Sequence, residues 1–239
     1  MRCLFLSVVF GFISVNQLFA QFADSALFAR LDIAPRWIWR GVSYSNSPVF
    51  QPSLGFENNK FCAYVWSSYS FDAHEYSEID FVIEYKPLPI LKMGFTDYFG
   101  IANSAKAEQN LFNFNRASTT HLFDLYFEYM PLKRIPIYIS WSTWVWGADK
   151  DSITGKQSYS SYAEIKFVEQ IGQSSLYTMI GATPWQGFYA DRTTIVNLGL
   201  GVMQPFQLVN RLTFPVKAEF TINPYKACAY LNIVLSLKL

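Results

Sequence analysis

The sequence predicts an all-β protein, a single transmembrane antiparallel β-barrel of about twelve strands that follows a cleaved signal peptide. Three observations lead to this fold class. Short segments alternate between apolar and polar residues, and long connections alternate with short ones. The composition is 51% hydrophobic and 18% aromatic but only 15% charged, whereas soluble domains carry about 25% charged residues. A chain this apolar needs a lipid-facing surface, which alternating strands supply.

Residues 1–20 have the composition of a secretory signal peptide. Arg2 precedes an apolar run over residues 3–15, and Ala20 marks a small-residue cleavage site. The run is shorter than the roughly 20 apolar residues that a membrane-spanning helix needs, so a retained anchor is the less favoured alternative. We expect cleavage after Ala20 and a barrel formed by residues 21–239.

The segment EIDFVIEY shows the alternation that defines the strands. Phe81 and Ile83 share one face of this segment. Asp80 and Glu84 share the other, because successive side chains of a strand point to opposite sides. We expect the apolar face to contact lipid and the charged face to line the lumen. The strands are predicted near residues 27–40, 49–57, 60–70, 77–86, 90–98, 119–130, 135–146, 159–168, 175–183, 193–204, 211–221 and 227–239.

The connections sort into short and long. ENNK, KPLP, PLKR and EQIGQS join strands two to three, four to five, six to seven and eight to nine. Most of the intervening connections are longer, and the longest is GIANSAKAEQNLFNFNRAS. An outer-membrane barrel has this layout, with tight periplasmic turns and longer external loops.

Many aromatic residues fall near the strand ends that carry the long loops. Amphipathic rings favour the headgroup level of a bilayer, so barrels carry aromatic girdles there. We expect such a girdle, with the core of a soluble β-sandwich as the alternative. Its members would be Trp37, Trp39, Tyr69, Phe71, Tyr98, Phe99, Trp144, Trp146, Tyr159, Tyr162, Trp185, Phe188 and Tyr189.

Charged residues on the inner faces are expected to line the lumen. They carry both signs, so they either border a water-filled pore or pair across the lumen and close it. A barrel of about twelve strands is wider than one of eight, which favours a narrow pore, constricted by the long loop 99–118. The predicted lining residues are Arg36, Arg40, Asp80, Glu84, Asp124, Glu128, Glu164, Lys166, Lys217 and Glu219.

The sequence offers little for catalysis or metal binding. The two histidines are His74, in a predicted external loop, and His121, at the start of a strand. A lipid-modifying site near His121 would need a nucleophile and an orienting group, and no nucleophile motif is present. Zinc-ligand spacing is also absent. We expect no catalytic residue, no metal and no cofactor.

Cysteine placement and net charge narrow the possibilities further. Cys62 and Cys228 belong to the mature chain, and the predicted strands place them near opposite rims. Bridged cysteines need Cα atoms within about 7 Å, so we expect no disulfide.

The net charge is +1 and the basic residues are scattered, whereas a nucleic-acid partner favours a basic patch. We therefore expect no nucleic-acid partner.

Several short segments resemble a family of barrels. Porins of the TorF family, and outer-membrane proteins of the Bacteroidetes type, contain segments similar to WRGVSYSNSPVFQPSLGFE, EIDFVIEY, GFTDYF, GADKDSITGKQSYSSYAEI, IGATPW and VNLGLGV. The resemblance runs from about Trp39 to the C-terminus. It implies an outer-membrane porin and brings no catalytic residues. The chain departs from many such barrels by ending in Leu239 rather than in an aromatic residue.

These features predict a porin-like channel of the bacterial outer membrane, through which small hydrophilic solutes diffuse passively. Its expected partners are outer-membrane lipid and those solutes, with no nucleic acid, and protein partners stay open. Two alternatives remain. One is a closed barrel that modifies lipid near His121, and the other is a closed barrel that acts as a surface adhesin or scaffold through its loops.

Overall fold

The structure, a computed structural model, describes residues 26–101, 110–130, 136–209 and 212–238. These residues form a closed barrel of twelve antiparallel strands, which confirms the predicted fold class. The described part of the chain contains no helix with the length and apolar character needed to cross a membrane. The predicted signal peptide, residues 1–20, lies outside the described residues and stays a prediction.

The strands of the described residues are β1 (Ala26–Ala34), β2 (Trp37–Trp39), β3 (Val42–Ser45), β4 (Val49–Glu57), β5 (Phe61–Ser70), β6 (Ser77–Leu88), β7 (Leu91–Ile101), β8 (His121–Tyr129), β9 (Ile137–Gly147), β10 (Ser161–Ile171), β11 (Ser174–Thr183), β12 (Thr194–Val209), β13 (Leu212–Asn223) and β14 (Cys228–Lys238). From β4 to β14 each strand pairs with the next one along the chain, and the ring closes because β1 pairs with both β4 and β14. β2 and β3 form a separate two-stranded sheet.

The barrel is apolar outside and polar inside. On β6, Ile83 is 57% exposed on the outer face, whereas Asp80 on the inner face is 6% exposed. On β14, Leu231 is 65% exposed and its neighbour Asn232 is buried. This arrangement suits a barrel with lipid outside and water inside. Because the ring of twelve strands is closed, it has no unpaired edge strand. The predicted orientation of the two faces is confirmed.

Tight turns lie at one end of the barrel and the longest connections at the other, as predicted, and the short connection 224–227 also lies at that other end. The turn at 89–90 joins β6 to β7, whereas residues 148–160 and 184–193 form loops at the opposite end. We term these the turn end and the loop end. Residues 131–135 and 210–211, in two further predicted short connections, lie outside the described residues.

The first predicted strand, 27–40, is wrong in its second half. β1 stops before Pro35, and residues 37–45 fold inward as the hairpin β2–β3, here termed the lumen hairpin. Proline lacks the N–H that would continue the pairing of β1. The hairpin turns at Arg40 and Gly41, whose φ angles of 50° and 76° are both positive, as a type I′ hairpin turn requires.

Candidate functional site: the lumen and its inward-folded hairpin

The lumen hairpin packs against the inner wall near the loop end. The ring of Trp37 lies 5.4 Å from that of Trp66 on β5, measured between centroids. The ring of Trp39 lies 5.6 Å from that of Tyr98 on β7. These contacts place the hairpin within the barrel and not above its rim.

The tip of the hairpin reaches β12 and β13. The buried side-chain amide of Asn223 donates a hydrogen bond of 3.0 Å to the carbonyl oxygen of Gly41. A Cβ at Gly41 would lie only 2.1 Å from the carbonyl oxygen of Val196. The positive φ and this close approach both require glycine. At the base of the hairpin, the Asn232 amide donates a hydrogen bond of 3.2 Å to the Arg36 carbonyl.

Arg40 joins the hairpin turn to the wall. Its Nη1 donates a hydrogen bond of 2.6 Å to the hydroxyl of Tyr189, and its Nη2 lies 3.7 Å from Oδ2 of Asp124. Its guanidinium lies 4.1 Å from the ring of Trp39 and 4.7 Å from that of Tyr162. A cation held over aromatic faces and beside a carboxylate is stabilised by both.

The loop 184–193 also packs into the loop end of the barrel. Tyr189, in the loop 184–193, is buried, and its ring lies 5.5 Å from that of Tyr162 and 5.7 Å from that of Trp144. Val196 and Ala190 complete this buried cluster. The hairpin and Tyr189 therefore occupy the loop end of the lumen and narrow it.

Glu75 fastens the hairpin to the loop between β5 and β6. Its carboxylate accepts hydrogen bonds of 3.0 Å from the backbone N–H groups of Asn46 and Ser47 and a further one from the Ser45 hydroxyl. Desolvation alone would raise the pKa of Glu75, but the hydrogen bonds from Ser45, Ser47 and Asn46 outweigh it and lower that pKa. The ionised form is thus the one that holds the hairpin.

Below the hairpin the lumen opens into a cavity of about 350 Å³. Arg40 lies at its upper side, and Glu78 and Asp80 of β6 face it. Glu128 and Ser140 are shared with an adjoining cavity of about 210 Å³. The other lining residues of the larger cavity are Trp37, Trp39, Tyr64, Trp66, Val82, Thr96, Tyr98, Tyr126, Trp141 and Ser142.

A further cavity of about 420 Å³ shares Tyr64 and Trp66 with the central one. It is lined by Arg30, Asp32 and other residues of β1 and β4. The cavity of about 350 Å³ thus adjoins two further cavities toward the turn end, of about 210 Å³ and about 420 Å³, and the hairpin covers it at the loop end.

Lys92 holds two of the predicted carboxylates together. Its Nζ lies 3.2 Å from Oε1 of Glu84 and 3.2 Å from Oε2 of Glu128, and the Tyr126 hydroxyl donates a hydrogen bond of 2.6 Å to Glu84. Sequence reasoning missed Lys92. Its position across from Glu128 in the β7–β8 pairing is the signal that would have found it.

The remaining predicted residues form pairs along single strands. Lys166 lies 3.3 Å from Glu164 on β10, and Lys217 lies 3.6 Å from Glu219 on β13. Arg36, outside the strands, has its guanidinium 5.9 Å from the Tyr230 ring. The structure thus places the predicted residues in the lumen or its hairpin, and their role as a pore lining stays a prediction.

His121 lies on the outer face of β8 and is buried beneath a loop. Its Nδ1 is 2.8 Å from Oδ1 of Asp97, and its Nε2 is 2.9 Å from the Leu111 carbonyl oxygen. The Phe114 ring stacks on the imidazole at 4.6 Å. Both ring nitrogens face acceptors, so neither is placed to act as a base. Residues 110–118 of the long loop include Leu111 and Phe114, which pack here on the outer face. Residues 102–109 lie outside the described residues, so a constriction of the lumen by the loop 99–118 stays a prediction.

The predicted aromatic girdle is only partly right. Tyr69 and Phe50 stack at 5.2 Å, and Trp146 packs on Phe123 at 4.6 Å, both on the outer face. Other members expected at the headgroup level instead fill the lumen, namely Trp37, Trp39, Tyr98, Trp144, Tyr162 and Tyr189.

The structure tests the prediction that the two cysteines of the mature chain are not bonded to each other. Cys62 and Cys228 are both free, as predicted. Within the described residues, no three His, Cys, Asp or Glu side chains gather as metal ligands would. The expectations of no metal and no cofactor stay predictions.

Fold and lumen together define a closed antiparallel barrel with a polar interior and an apolar exterior. No protein-family model matches the chain, and no curated protein matches its sequence. Among solved structures it is similar to a KdgM porin in complex with disordered oligogalacturonate, at 7% identity and a TM-score of 0.49, over 90% of this chain and 97% of that one. It is also similar to a KdgM porin at 5% identity and a TM-score of 0.48, with the same coverage.

Proposed function

We propose that the chain is a porin-like channel of a bacterial outer membrane, through which small hydrophilic solutes diffuse passively. The observation that carries this proposal is a charged lumen with adjoining cavities inside a closed barrel whose outer surface is apolar. The lumen hairpin narrows the passage at the loop end. Membership in the TorF family of porins is part of this proposal and rests on the sequence segments quoted above.

Diffusion past charged walls needs neither a cofactor nor a covalent step. The ten proposed lining residues comprise six carboxylates and four basic side chains. Lys92 adds one cation and Glu78 one anion, so the excess of two carboxylates is unchanged. We therefore propose a preference for cations over anions at neutral pH.

The test is single-channel recording of refolded mature protein in a planar bilayer under a potassium chloride gradient. Small discrete steps with a cation-selective reversal potential are expected. Silence at every voltage, from protein that shows the heat-modifiable gel mobility of a folded barrel and also from a variant without the hairpin, would overturn the channel proposal.

A second candidate, a closed barrel acting as an adhesin or scaffold, is favoured by the filling of the loop end around Tyr189. It predicts that same silence together with loops that remain accessible at the cell surface. The lipid-modifying alternative has no comparable support, because Asp97 and Leu111 engage both imidazole nitrogens of His121.

A further inference from the structure

Two neighbouring carboxylates of β6, Glu78 and Asp80, are buried without a basic partner. They share the lumen face of the strand and are 7% and 6% exposed. Glu78 accepts a hydrogen bond from the Tyr76 hydroxyl, whereas Oδ1 of Asp80 is buried with no hydrogen-bond partner. Neither takes part in any ion pair found among the described residues. Burial of ionised carboxylates is unfavourable unless a cation pairs with them or they bind a proton.

The basic groups nearest this cavity are already engaged. Arg40 faces Asp124 and the Tyr189 hydroxyl. Lys92 is shared between Glu84 and Glu128. When Glu78 and Asp80 are ionised, no basic side chain of the described residues compensates their charge, so the cavity favours a cationic occupant over an anionic one.

The walls of the cavity supply aromatic faces on several sides. Trp37 and Trp39 come from the hairpin, Trp66 from β5 and Tyr98 from β7. Aromatic faces next to carboxylates recognise ammonium groups, because the ring quadrupole attracts a cation that need not shed a tight hydration shell. Calcium, by contrast, takes about six to eight oxygen ligands, and among the described residues no three His, Cys, Asp or Glu side chains gather as metal ligands would. A volume of about 350 Å³ lies in the range of small-molecule sites, about 300–1,000 Å³.

We propose that the cavity beneath the lumen hairpin binds a small organic ammonium cation, with Glu78 and Asp80 as its ion-pair acceptors and the tryptophan rings as its walls. The inference rests on the proposed channel function, because such a cation would be a solute of this lumen. The adjoining cavities give it an approach from the turn end.

The experiment titrates choline chloride into the refolded mature barrel in detergent and follows tryptophan fluorescence at constant ionic strength. The neutral isostere 3,3-dimethyl-1-butanol is titrated in parallel. We expect saturable binding of choline that is at least about tenfold tighter than that of the alcohol. The isosteric variant Asp80→Asn should weaken choline binding by about tenfold, the factor that 1.4 kcal/mol represents. Asp32→Asn, a buried lumen carboxylate outside this cavity, should leave it unchanged.

Equal affinity for choline and the neutral alcohol would overturn the inference, and so would unchanged binding in Asp80→Asn. A third contrary result would be that Asp80→Asn changes the pH dependence of stability but not choline binding. Glu78 and Asp80 would then merely share a proton. Conductance of the same preparation separates the two proposals. A conducting barrel that does not bind choline overturns the site alone. A wild-type barrel that binds choline but is silent, together with a silent variant without the hairpin, supports the site and overturns the channel.

Discussion

Arg40, at the turn of the lumen hairpin, lies 3.7 Å from Asp124 on the wall of the barrel. The side chain of Asp124 has no exposed surface and that of Arg40 is 16% exposed, so the two charges meet out of solvent. Removing one partner of a buried ion pair leaves the other uncompensated, which costs about 3–5 kcal/mol. This pair ties the hairpin to β8.

Replacing Arg40→Gln should therefore lower the free energy of unfolding by about 3–5 kcal/mol, measured by urea denaturation of the refolded barrel. Arg36→Gln is the matched control. Its guanidinium lies 5.9 Å from the Tyr230 ring and makes no ion pair found among the described residues, and cation–π contacts outside a desolvated site contribute about 0.5–1 kcal/mol. Equal losses in the two variants would show that the Arg40–Asp124 contact does not anchor the hairpin.

Acidification should loosen the hairpin through Glu75. The pKa of Glu75 is lowered in the folded protein, so its contribution to stability is complete above the unfolded pKa and is lost as the pH falls through the folded one. Stability of the wild type should drop as the pH goes below the usual glutamate value of 4.5. Thermal unfolding of the wild type and of Glu75→Gln, followed as a function of pH, measures this loss of stability. The variant should lack the part of the loss that comes from protonation of Glu75. Parallel pH profiles would contradict it.

His121→Ala should free the loop that covers the outer face of β8 without affecting the lumen. The variant loses the contacts to Asp97 and Leu111, so trypsin should cut faster after Arg116. His74→Ala, in an exposed position, is the control and should leave cleavage unchanged. Conductance should be unaltered. A lipid-hydrolysing activity of the wild type that disappears in His121→Ala would restore the enzymatic alternative.

The two faces of the barrel should respond oppositely to a new charge. Ile83→Lys places an ammonium on the lipid face, where a basic residue near the membrane midplane costs about 2–4 kcal/mol. Ser140→Lys places it beside the lumen cavities, where water and carboxylates are available. Folding into lipid vesicles, measured by urea titration, should be weakened much more by Ile83→Lys. The reverse order would mean that the apolar face does not contact lipid.

Alternation predicted the barrel because a barrel strand has one lipid face and one water face along its whole length. For that reason Ile83 lies exposed on the outer face and Asp80 lies buried on the inner face. The turn residues between the alternating segments marked which connections are short and which are long. The same rule failed at RWIWR. Trp37 and Trp39 do lie on a strand, but its partner is β3, and alternation indicates a strand without identifying what it pairs with.

The site was less predictable than the fold. Charged residues on inner faces were assigned from alternation, but the contacts that organise them are long-range. Arg40 meets Tyr189 and Asp124 only because the hairpin folds inward. Aromatic residues near a rim look alike in sequence whether they lie on the outer face, as Trp146 does, or fill the lumen, as Trp144 does.

The most direct measurement compares single-channel conductance of the wild type with that of a variant in which an Asn-Gly turn replaces residues 35–48. Ala34 and Val49 are paired across β1 and β4, so a two-residue turn can join them without moving the barrel. If the lumen is a passage narrowed by the hairpin, the folded variant conducts several-fold more than the wild type, with a cation-selective reversal potential. A folded variant that conducts no more than the wild type, or not at all, would contradict the proposal that this lumen is a channel with the hairpin as its constriction.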